Sequence, residues 1–248
     1  RHDKLRPAQL DAVWSLPSQQ KEAGEALRTG LEQLFKSADD ALEHGATLLI
    51  LDDARGRETG YVPLPSLLAA SALHNHLIRA GKRHLCGIIS ENDDAWEPMH
   101  MAQLIACGAD AICPRGALDD AGELGADSGA SPEEARASYI TALRKGLLKA
   151  MARLGISTLR SFRGGHFFEC IGMNEAFAEK YLTGTPVRLG SSRPDGGLGL
   201  DEFAAEFIAA QRLEKEGKIP AEPRFWNRES VRLLQRATRF SNNDASDA

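Results

Sequence analysis

The sequence lacks the features that identify several large classes of protein. No run approaches the roughly 18 apolar residues that span a bilayer, and the N-terminus, RHDKLRPAQLDAVW, lacks the apolar core of a signal peptide. The 30 basic and 35 acidic side chains are spread along the chain and leave a formal net charge of −5. No basic stripe is present that would neutralise the phosphates of a nucleic acid. We therefore expect neither a membrane nor a nucleic-acid partner.

Cysteine is scarce and scattered. The chain has four, none in a CxxC pair, and this spacing supports neither a disulfide framework nor a zinc ribbon. We expect reduced, mostly buried thiols in a cytoplasmic protein. The absence of an initiator methionine suggests a piece of a longer chain or a processed one. The cysteines are Cys86, Cys107, Cys113 and Cys170.

Helical and strand patterns alternate from residue 19 to residue 114. Apolar side chains recur every three or four positions from Gln19 to His44, which predicts a long amphipathic helix. The uninterrupted apolar run at 47–51 predicts a strand that is covered on both faces. Because strands that alternate with helices form parallel sheets, the pattern predicts an α/β fold of βα repeats, a partial or degenerate TIM-barrel-like domain. The further predicted helices are 65–80 and 96–107, and the further predicted strands are 84–89 and 109–113.

The second half is predicted to contain one long helix and a helical C-terminal extension. The segment 118–130 is small and acidic without periodicity, which predicts a loop. Ser131-Pro132-Glu133-Glu134 then supplies an N-cap serine, a proline at the first helical position and a capping-box glutamate. A helix is therefore expected from there to about Leu154. The remaining predictions are a strand at 156–162, a helix starting at 166–170, a glycine-rich linker at 188–200, a helix at 201–216, a proline-broken linker at 219–223, a helix at 228–239 and a disordered tail at 241–248.

Three carboxylates stand at the ends of two predicted strands. Asp52 and Asp53 follow the first strand and Glu91 follows the second. Because α/β proteins place chemistry at this edge of the sheet, these groups are candidates for acid–base catalysis or for binding a divalent metal. The alternative is structural, since the carboxylates would also cap the following helices or pair with Arg55 and Arg57. The residues alone leave both readings open.

The stretch GISTLRSFRGGHFFEC, at 155–170, concentrates polar chemistry in sixteen positions. Arg163 and the amides of Gly164 and Gly165, ahead of a predicted helix, would suit an anion such as phosphate or carboxylate. The same glycine pair suits a tight strand-to-helix turn with His166 on the helix surface. Again both readings stay open.

Several blocks of the sequence resemble the central region of glutamate synthase large chains. They are ATLLILDD, PLPSLLAASALHNHLIRAGKRH, GADAICP and the long run from YITALRKGLL to YLTGTPVRLG. The later piece RFWNRESVRLLQRATR is similar to the segment in which that family enters its flavin domain. The resemblance extends from about Leu27 to Arg239. The chain departs from the family pattern at Asp52-Asp53-Ala54, at His74-Asn75-His76 and at Gly164-Gly165-His166, as a divergent relative would.

The resemblance implies one part of an enzyme that converts glutamine and 2-oxoglutarate into two glutamates. In that family an amidotransferase domain releases ammonia, and a central α/β domain links it through an ammonia tunnel to a synthase domain that holds FMN and an iron–sulfur cluster. Residues 1–190 then correspond to the central domain, and 191–248 to a linker, helices and a polar tail at the start of the synthase domain. By this resemblance the segment itself carries no cofactor, no metal and no catalytic residue. Arg163, Gly164, Gly165 and His166 would shape an interdomain surface.

Two functional hypotheses follow from these observations. The first is a structural linker between the amidotransferase and FMN-binding synthase domains, which supports ammonia channelling. The second is a self-standing barrel-like enzyme that uses Asp52, Asp53 and Glu91, with a divalent metal or a phosphorylated or otherwise anionic substrate.

Overall fold

Strands and helices alternate along most of the chain. A computed structural model describes residues 5–127, 129–188 and 196–215, together with Arg232. In chain order the strands are β1 (Pro7–Asp11), β2 (Val13–Ser15), β3 (Leu48–Asp52), β4 (Tyr61–Pro63), β5 (Gly87–Asn92), β6 (Ala111–Pro114), β7 (Cys170–Ile171) and β8 (Val187–Arg188). The helices are α1 (Ala23–Glu43), α2 (Ser66–Arg79), α3 (Pro98–Ala106), α4 (Arg115–Asp127), α5 (Pro132–Arg153), α6 (Leu159–Phe162), α7 (Glu175–Tyr181) and α8 (Leu200–Lys215).

Four parallel strands form the central sheet. Their order is β1-β3-β5-β6, and each neighbouring pair runs parallel. The helices α1, α2 and α3 lie in the chain between successive strands of this sheet, which confirms the predicted α/β fold and its partial-barrel-like βα repetition. β2 and β4 form a separate antiparallel pair. The sequence pattern did not indicate β1, β2 or β4, which are only three to five residues long.

One face of the sheet is buried and the other is partly open. Along β3 and β5 the side chains alternate between buried and partly exposed positions. Leu49 and Ile88 are fully buried under the helices, whereas Ile50 and Ile89, which are paired neighbours, lie on the partly exposed side. The prediction of a strand covered on both faces therefore holds for one side of β3 only, because Leu48 and Ile50 on the other side remain partly exposed. We call this side the open face; it carries Gln9, Leu48, Ile50, Ile89 and Cys113.

The predicted loop at 118–130 is mostly helical, since α4 runs to Asp127. The glycines that lower its helix propensity are the residues that let it pack. Gly122 and Gly125 are buried one turn apart, and a Cβ on Gly125 would lie 2.3 Å from the Cβ of Ala135 on α5. Close packing of the two helices thus outweighs the intrinsic cost of glycine in a helix, which is about 1 kcal/mol per residue.

Two further predictions around the GISTLRSFRGGHFFEC stretch are wrong. In place of a strand at 156–162 there is the short helix α6. Its N-cap is Thr158, whose hydroxyl accepts a hydrogen bond from the Ser161 amide at 3.3 Å. It is anchored by Phe162, which is fully buried among α3 and α5 residues. In place of a helix at 166–170 the chain is irregular and then enters β7, because His166 has a left-handed φ of 48° that cannot begin an α-helix.

The other predicted elements overlap those of the structure where it describes them, although β5 begins three residues later than the strand predicted at 84–89. The capping box of Ser131 and Glu134 begins α5, and α8 matches the helix expected at 201–216. The chain divides into two compact units, Arg1–Ile208 and Ala209–Ala248, and the described part of the second consists of the last residues of α8 and Arg232. Most of the predicted glycine-rich linker and, apart from Arg232, all of the linker at 219–223, the helix at 228–239 and the tail lie outside the described residues.

Candidate functional site

The three strand-end carboxylates do come together, around an arginine that sequence reasoning missed. Arg115 begins α4 directly after β6, so it reaches the same edge of the sheet as the ends of β3 and β5. Its Nη1 lies 2.7 Å from Asp52 Oδ1 and 3.5 Å from Glu91 Oε1, and its Nε lies 3.1 Å from Asp93 Oδ1. Its Nη2 donates to Asp53 Oδ1. We call Arg115 with these four carboxylates the carboxyl-edge cluster.

The two arginines expected as partners lie at the margin of this cluster. Arg57 Nε donates to Asp93 Oδ2 at 2.7 Å, while Arg55 pairs with Asp11 outside the cluster at 2.8 Å. Arg115 stands in the motif Ile112-Cys113-Pro114-Arg115, immediately after the third predicted strand. A basic residue just after a predicted strand was the only sign of this pairing in the sequence. It was a sign because the carboxyl ends of parallel strands lie at the same edge of the sheet, where the carboxylates were expected.

Backbone amides complete the pairing of Asp52 and Asp53. The Ala54 amide donates to Asp52 Oδ1 at 2.8 Å, and the Asp93 amide donates to Asp53 Oδ2 at 2.9 Å. Burial acts to raise the pKa of Asp52, but the Ala54 amide, Arg115 and Gln9 outweigh it and hold the pKa below its ordinary value. Asp53 is only 5% exposed, and burial raises its pKa to about 6 despite the hydrogen bond from the Asp93 amide.

Arg115 is held firmly in its charged form. Burial acts to lower its pKa, but its hydrogen bonds to Asp52 and Asp93 outweigh burial and raise the pKa above its ordinary value. Among the residues that the structure describes, no group of three or more His, Cys, Asp or Glu side chains is arranged to hold a metal ion. The carboxylates of the cluster instead converge on a guanidinium group.

A second charged cluster lies at the amino ends of the strands. Asp110, just before β6, accepts from Arg83 Nη2 at 2.7 Å and from the Ile88 amide at 2.8 Å through Oδ2, while Oδ1 pairs with Arg163. Arg83 Nε also donates to His74 Nδ1 at 2.9 Å. We call Asp110, Arg83, Arg163 and His74 the amino-edge cluster.

His74 and His76, the two histidines of α2, lie in different surroundings, as their spacing predicts. His74 is buried, and burial followed by the nearby charge of Arg83 lowers its pKa to about 4. His76 is partly exposed, pairs with Asp39 at 2.8 Å and stacks on Phe35.

The glycine pair of the turn is engaged by the protein itself. The Gly164 amide donates to Ile105 O at 3.2 Å and the Gly165 amide to Phe162 O at 3.2 Å. Gly164 has a φ of 68° and its Cα faces the His74 ring, so the turn packs onto α2. His166 is half-buried, and its Nδ1 lies 3.2 Å from Thr185 Oγ1. An anion at this turn would have to be held by side chains, because both glycine amides already have carbonyl partners.

The two clusters do not form one site. Asp52 and Glu91 end their strands, whereas Asp110 and Arg83 precede theirs, so the clusters lie at opposite edges of the sheet. A five-residue strand separates its ends by roughly 13 Å. Arg163 and His166 therefore cannot serve a reaction centred on Asp52, Asp53 and Glu91.

Comparison with known protein families shows the family to which this chain belongs. A family model described as the glutamate synthase central domain matches residues 1–174. The chain belongs to the glutamate synthase central domain family. It is 38% identical over 221 residues to the glutamate synthase [NADPH] large chain of Bacillus subtilis strain 168, a match that covers 87% of this chain. It is 32% identical over 241 residues to the ferredoxin-dependent glutamate synthase 2, chloroplastic, of Arabidopsis thaliana, covering 86% of this chain.

This central-domain chain corresponds to a small part of its relatives. It spans 13% of the Bacillus subtilis chain and 14% of the Arabidopsis thaliana chain. Among solved structures it is similar to a DHODH from Eimeria tenella in complex with ferulenol, with a TM-score of 0.38 and 19% identity over 54% of this chain and 34% of that chain. Within the described ranges, no helix combines the length and the apolar character needed to cross a bilayer.

The described residues of this central-domain chain do not suit the cofactors that the resemblance implies for the parent family. Iron–sulfur clusters are held by groups of cysteine thiolates, and the described residues contain no group of three or more His, Cys, Asp or Glu side chains placed to hold a metal. Burial followed by the neighbouring Cys170 raises the pKa of Cys107 to about 11, and burial also raises the pKa of Cys86. The carboxyl edge, where a barrel would hold a flavin phosphate, presents four carboxylates around Arg115. These groups would repel a phosphate.

Proposed function

We propose that the chain is a non-catalytic structural segment of a glutamate synthase-like protein that converts glutamine and 2-oxoglutarate into two glutamates. It links the amidotransferase domain to the FMN-binding synthase domain and helps to hold the route of ammonia between them. Residues 1–190 act as the central domain, and 191–248 lead into the synthase domain, which holds FMN and the iron–sulfur cluster. We propose the cytoplasm as its location.

The open face is the observation that carries this proposal. All-parallel sheets occur almost only where both faces are covered, yet Leu48, Ile50 and Ile89 remain partly exposed on this one. Covering such a face removes apolar area from water at about 25 cal/mol per Å². A neighbouring domain of the same assembly would supply that cover.

The carboxyl-edge cluster supports a structural role as well. A catalytic carboxylate has to reach a substrate, but Asp52, Asp53 and Asp93 each pair with Arg115 and with a further group of this chain. Breaking these pairs to bind a substrate would leave buried charge uncompensated.

A docking assay tests the linker function. Ile89→Gln places a polar group on the open face at a position that is already partly exposed, so the fold should persist. We expect this variant to bind separately expressed amidotransferase or FMN synthase domains of the same organism roughly tenfold more weakly than the original chain. Leu148→Gln, on the exposed side of α5 at 62% exposure, is the matched control and should bind normally. Equal binding by all three proteins, measured by calorimetry, would refute the linker function.

Ligand-dependent melting gives a second test of the proposal, because a purely structural segment should bind neither cofactor nor substrate. The linker function predicts that FMN and glutamine at micromolar concentration leave the melting temperature of the chain unchanged. A ligand present at a hundred times its dissociation constant would add about 2.7 kcal/mol of stability, which is readily measured. Saturable binding of either ligand at micromolar concentration would contradict a purely structural role.

A second candidate function, a self-standing enzyme, rests on Asp53. A buried carboxyl with a pKa of about 6 at the carboxyl edge of a parallel sheet is typical of a general acid or base. If this function holds, Mg²⁺ or an anionic substrate should raise the melting temperature, and Asp52→Asn and Glu91→Gln should abolish the effect. An unchanged response in both variants would eliminate the enzyme function.

A further inference from the structure

A surface hollow of about 380 Å³ lies beside the amino-edge cluster. Its apolar wall comes from Ile105, Ala109 and Leu159, and its polar side from Asp110, Arg160 and Arg163. It therefore opens at the edge opposite the carboxyl-edge cluster, on a part of the molecule to which the proposed function assigns no ligand.

Positive charge exceeds negative charge around this hollow. Two guanidinium groups, those of Arg160 and Arg163, line the hollow beside the single carboxylate of Asp110, which also pairs with Arg83 from outside the lining. Asp110 is already fully engaged, because its two oxygens accept from Arg83, Arg163 and the Ile88 amide. One carboxylate that is shared with Arg83 cannot also neutralise both arginines of the lining, so the hollow keeps an excess of positive charge.

Arg160 differs from the other two arginines. Its guanidinium group has no hydrogen bond or ion pair within the part of the chain that the structure describes, and its side chain is exposed. Arg163 points one nitrogen at Asp110, which leaves further donors of its planar group for another acceptor. Arg160, within α6, and Arg163, directly after it, thus line the same hollow.

The neighbouring groups respond to this concentration of positive charge. Burial lowers the pKa of Arg163, and the adjacent charge of Arg83 lowers it further. Burial is also the main reason for the low pKa of His74, with additional contributions from Arg83, His166 and Arg163. An anion in the hollow would relieve this repulsion among like charges.

We propose that this hollow binds a small oxyanion, a phosphate or carboxylate group, between Arg160 and Arg163. Arginine suits this role because its planar donors match the oxygens of carboxylate and phosphate in a bidentate arrangement. The apolar wall of Ile105, Ala109 and Leu159 lowers the local dielectric and strengthens the attraction relative to open water. The site goes beyond the linker function, which neither requires nor excludes it.

Anion titration of the 248-residue chain tests the proposal, with inorganic phosphate in one arm and succinate in the other. Chloride keeps the ionic strength constant, so that general screening does not imitate binding. We expect saturable binding in the millimolar range, with the tighter arm identifying phosphate or carboxylate as the preferred group. Arg160→Gln should weaken it roughly tenfold, and Arg160→Lys should weaken it less, because a lysine keeps the charge but loses the bidentate geometry.

The controls separate this site from other causes. Arg153→Gln removes an exposed arginine near the end of α5 and should leave the affinity unchanged. Asp52→Asn, at the opposite edge, should also leave it unchanged, which distinguishes this site from the carboxyl-edge cluster, while the linker function is tested separately by Ile89→Gln. The proposal is overturned if neither anion binds saturably up to tens of millimolar, or if Arg160→Gln binds as tightly as the original chain.

Discussion

Asp52 and Asp53 are consecutive residues that share the guanidinium of Arg115, yet their pKa values shift in opposite directions. Asp52 lies at the partly exposed end of β3, where the hydrogen bonds from Ala54, Arg115 and Gln9 favour its charged form. Asp53 lies one residue further along and is more deeply buried, so that its loss of water costs more than the Asp93 amide and Arg115 offset. The direction of a carboxylate's shift at this edge is thus set by burial rather than by the presence of an arginine.

The pH dependence of stability should reveal two opposing groups. The pKa of Asp53 is raised from 3.8 to about 6, so its contribution to stability is present below pH 3.8 and is lost as the pH rises through 6. The pKa of His74 is lowered from 6.5 to about 4, so its contribution is present above pH 6.5 and is lost as the pH falls through 4. Each amounts to a change on the order of 2 to 3 kcal/mol.

Two substitutions separate these contributions. Asp53→Asn should make the free energy of unfolding fall more steeply between pH 6.5 and pH 4, because only the His74 contribution remains. His74→Gln should make it rise over the same interval. Urea unfolding followed by circular dichroism at three pH values measures both slopes. Parallel curves for the original chain and both variants would show that neither group titrates as inferred.

Removing Arg115 should be costly. Arg115→Met leaves the carboxylates of the carboxyl-edge cluster facing one another without their shared cation, and breaking a buried pair in this way costs about 3 to 5 kcal/mol. Arg28→Met is the control, because Arg28 pairs with Glu25, whose side chain is 72% exposed, and such surface pairs contribute about 1 kcal/mol or less. Urea unfolding at neutral pH compares the two. A similar loss in both would mean that the cluster contributes no more than a surface ion pair.

Gly108 should tolerate no side chain. It has a φ of 116°, and a Cβ there would lie 2.3 Å from Cγ of His74. Gly60 has a φ of 91° with nothing within 4 Å of the same position, so Gly60→Ala carries backbone strain alone, about 1 to 2 kcal/mol. Gly108→Ala should therefore lower the melting temperature clearly more than Gly60→Ala, at roughly 2 to 4 °C per kcal/mol for a chain of this size. Equal shifts would show that the His74 ring moves aside without cost.

The N-cap of α5 should stabilise the protein measurably. The Ser131 hydroxyl accepts from the Glu134 amide at 3.2 Å, and Ser131→Ala should cost about 1 kcal/mol of unfolding free energy. Ser138 lies exposed within the same helix, where alanine is the better helix former, so Ser138→Ala should be neutral or slightly stabilising. Chemical unfolding of the two variants gives the comparison, and an unchanged Ser131→Ala would indicate that the helix end frays in the original chain.

The sequence predicted those parts of the fold that depend on local pattern. The apolar periodicity of α1 and the capping box of α5 arise from neighbouring residues, and both helices begin and end close to their predicted limits. The helix α4 escaped prediction because its glycines are favourable only against α5. The short helix α6 escaped because Phe162 needs a pocket formed by α3 and α5. In both cases tertiary contacts outweigh local propensity.

The candidate site was predictable only in outline. Parallel strands place Asp52, Asp53 and Glu91 at one edge whatever their side chains do, so their proximity followed from the alternation of elements. Their pairing with Arg115 did not follow from this alternation, because Arg115 is 63 positions from Asp52 and 62 positions from Asp53 in the chain. No local pattern specifies which of many arginines reaches a carboxylate across the sheet.

Arg115 also imposes an order on biosynthesis. The carboxylates it joins leave the ribosome 22 to 63 residues before it does, and they lie at the carboxyl ends of β3 and β5 and in the turns that follow. Until Arg115 and β6 emerge, those turns carry negative charge that favours water over a packed arrangement. The first strands are therefore expected to settle only when the fourth arrives, so that the nascent sheet closes in one cooperative step rather than strand by strand.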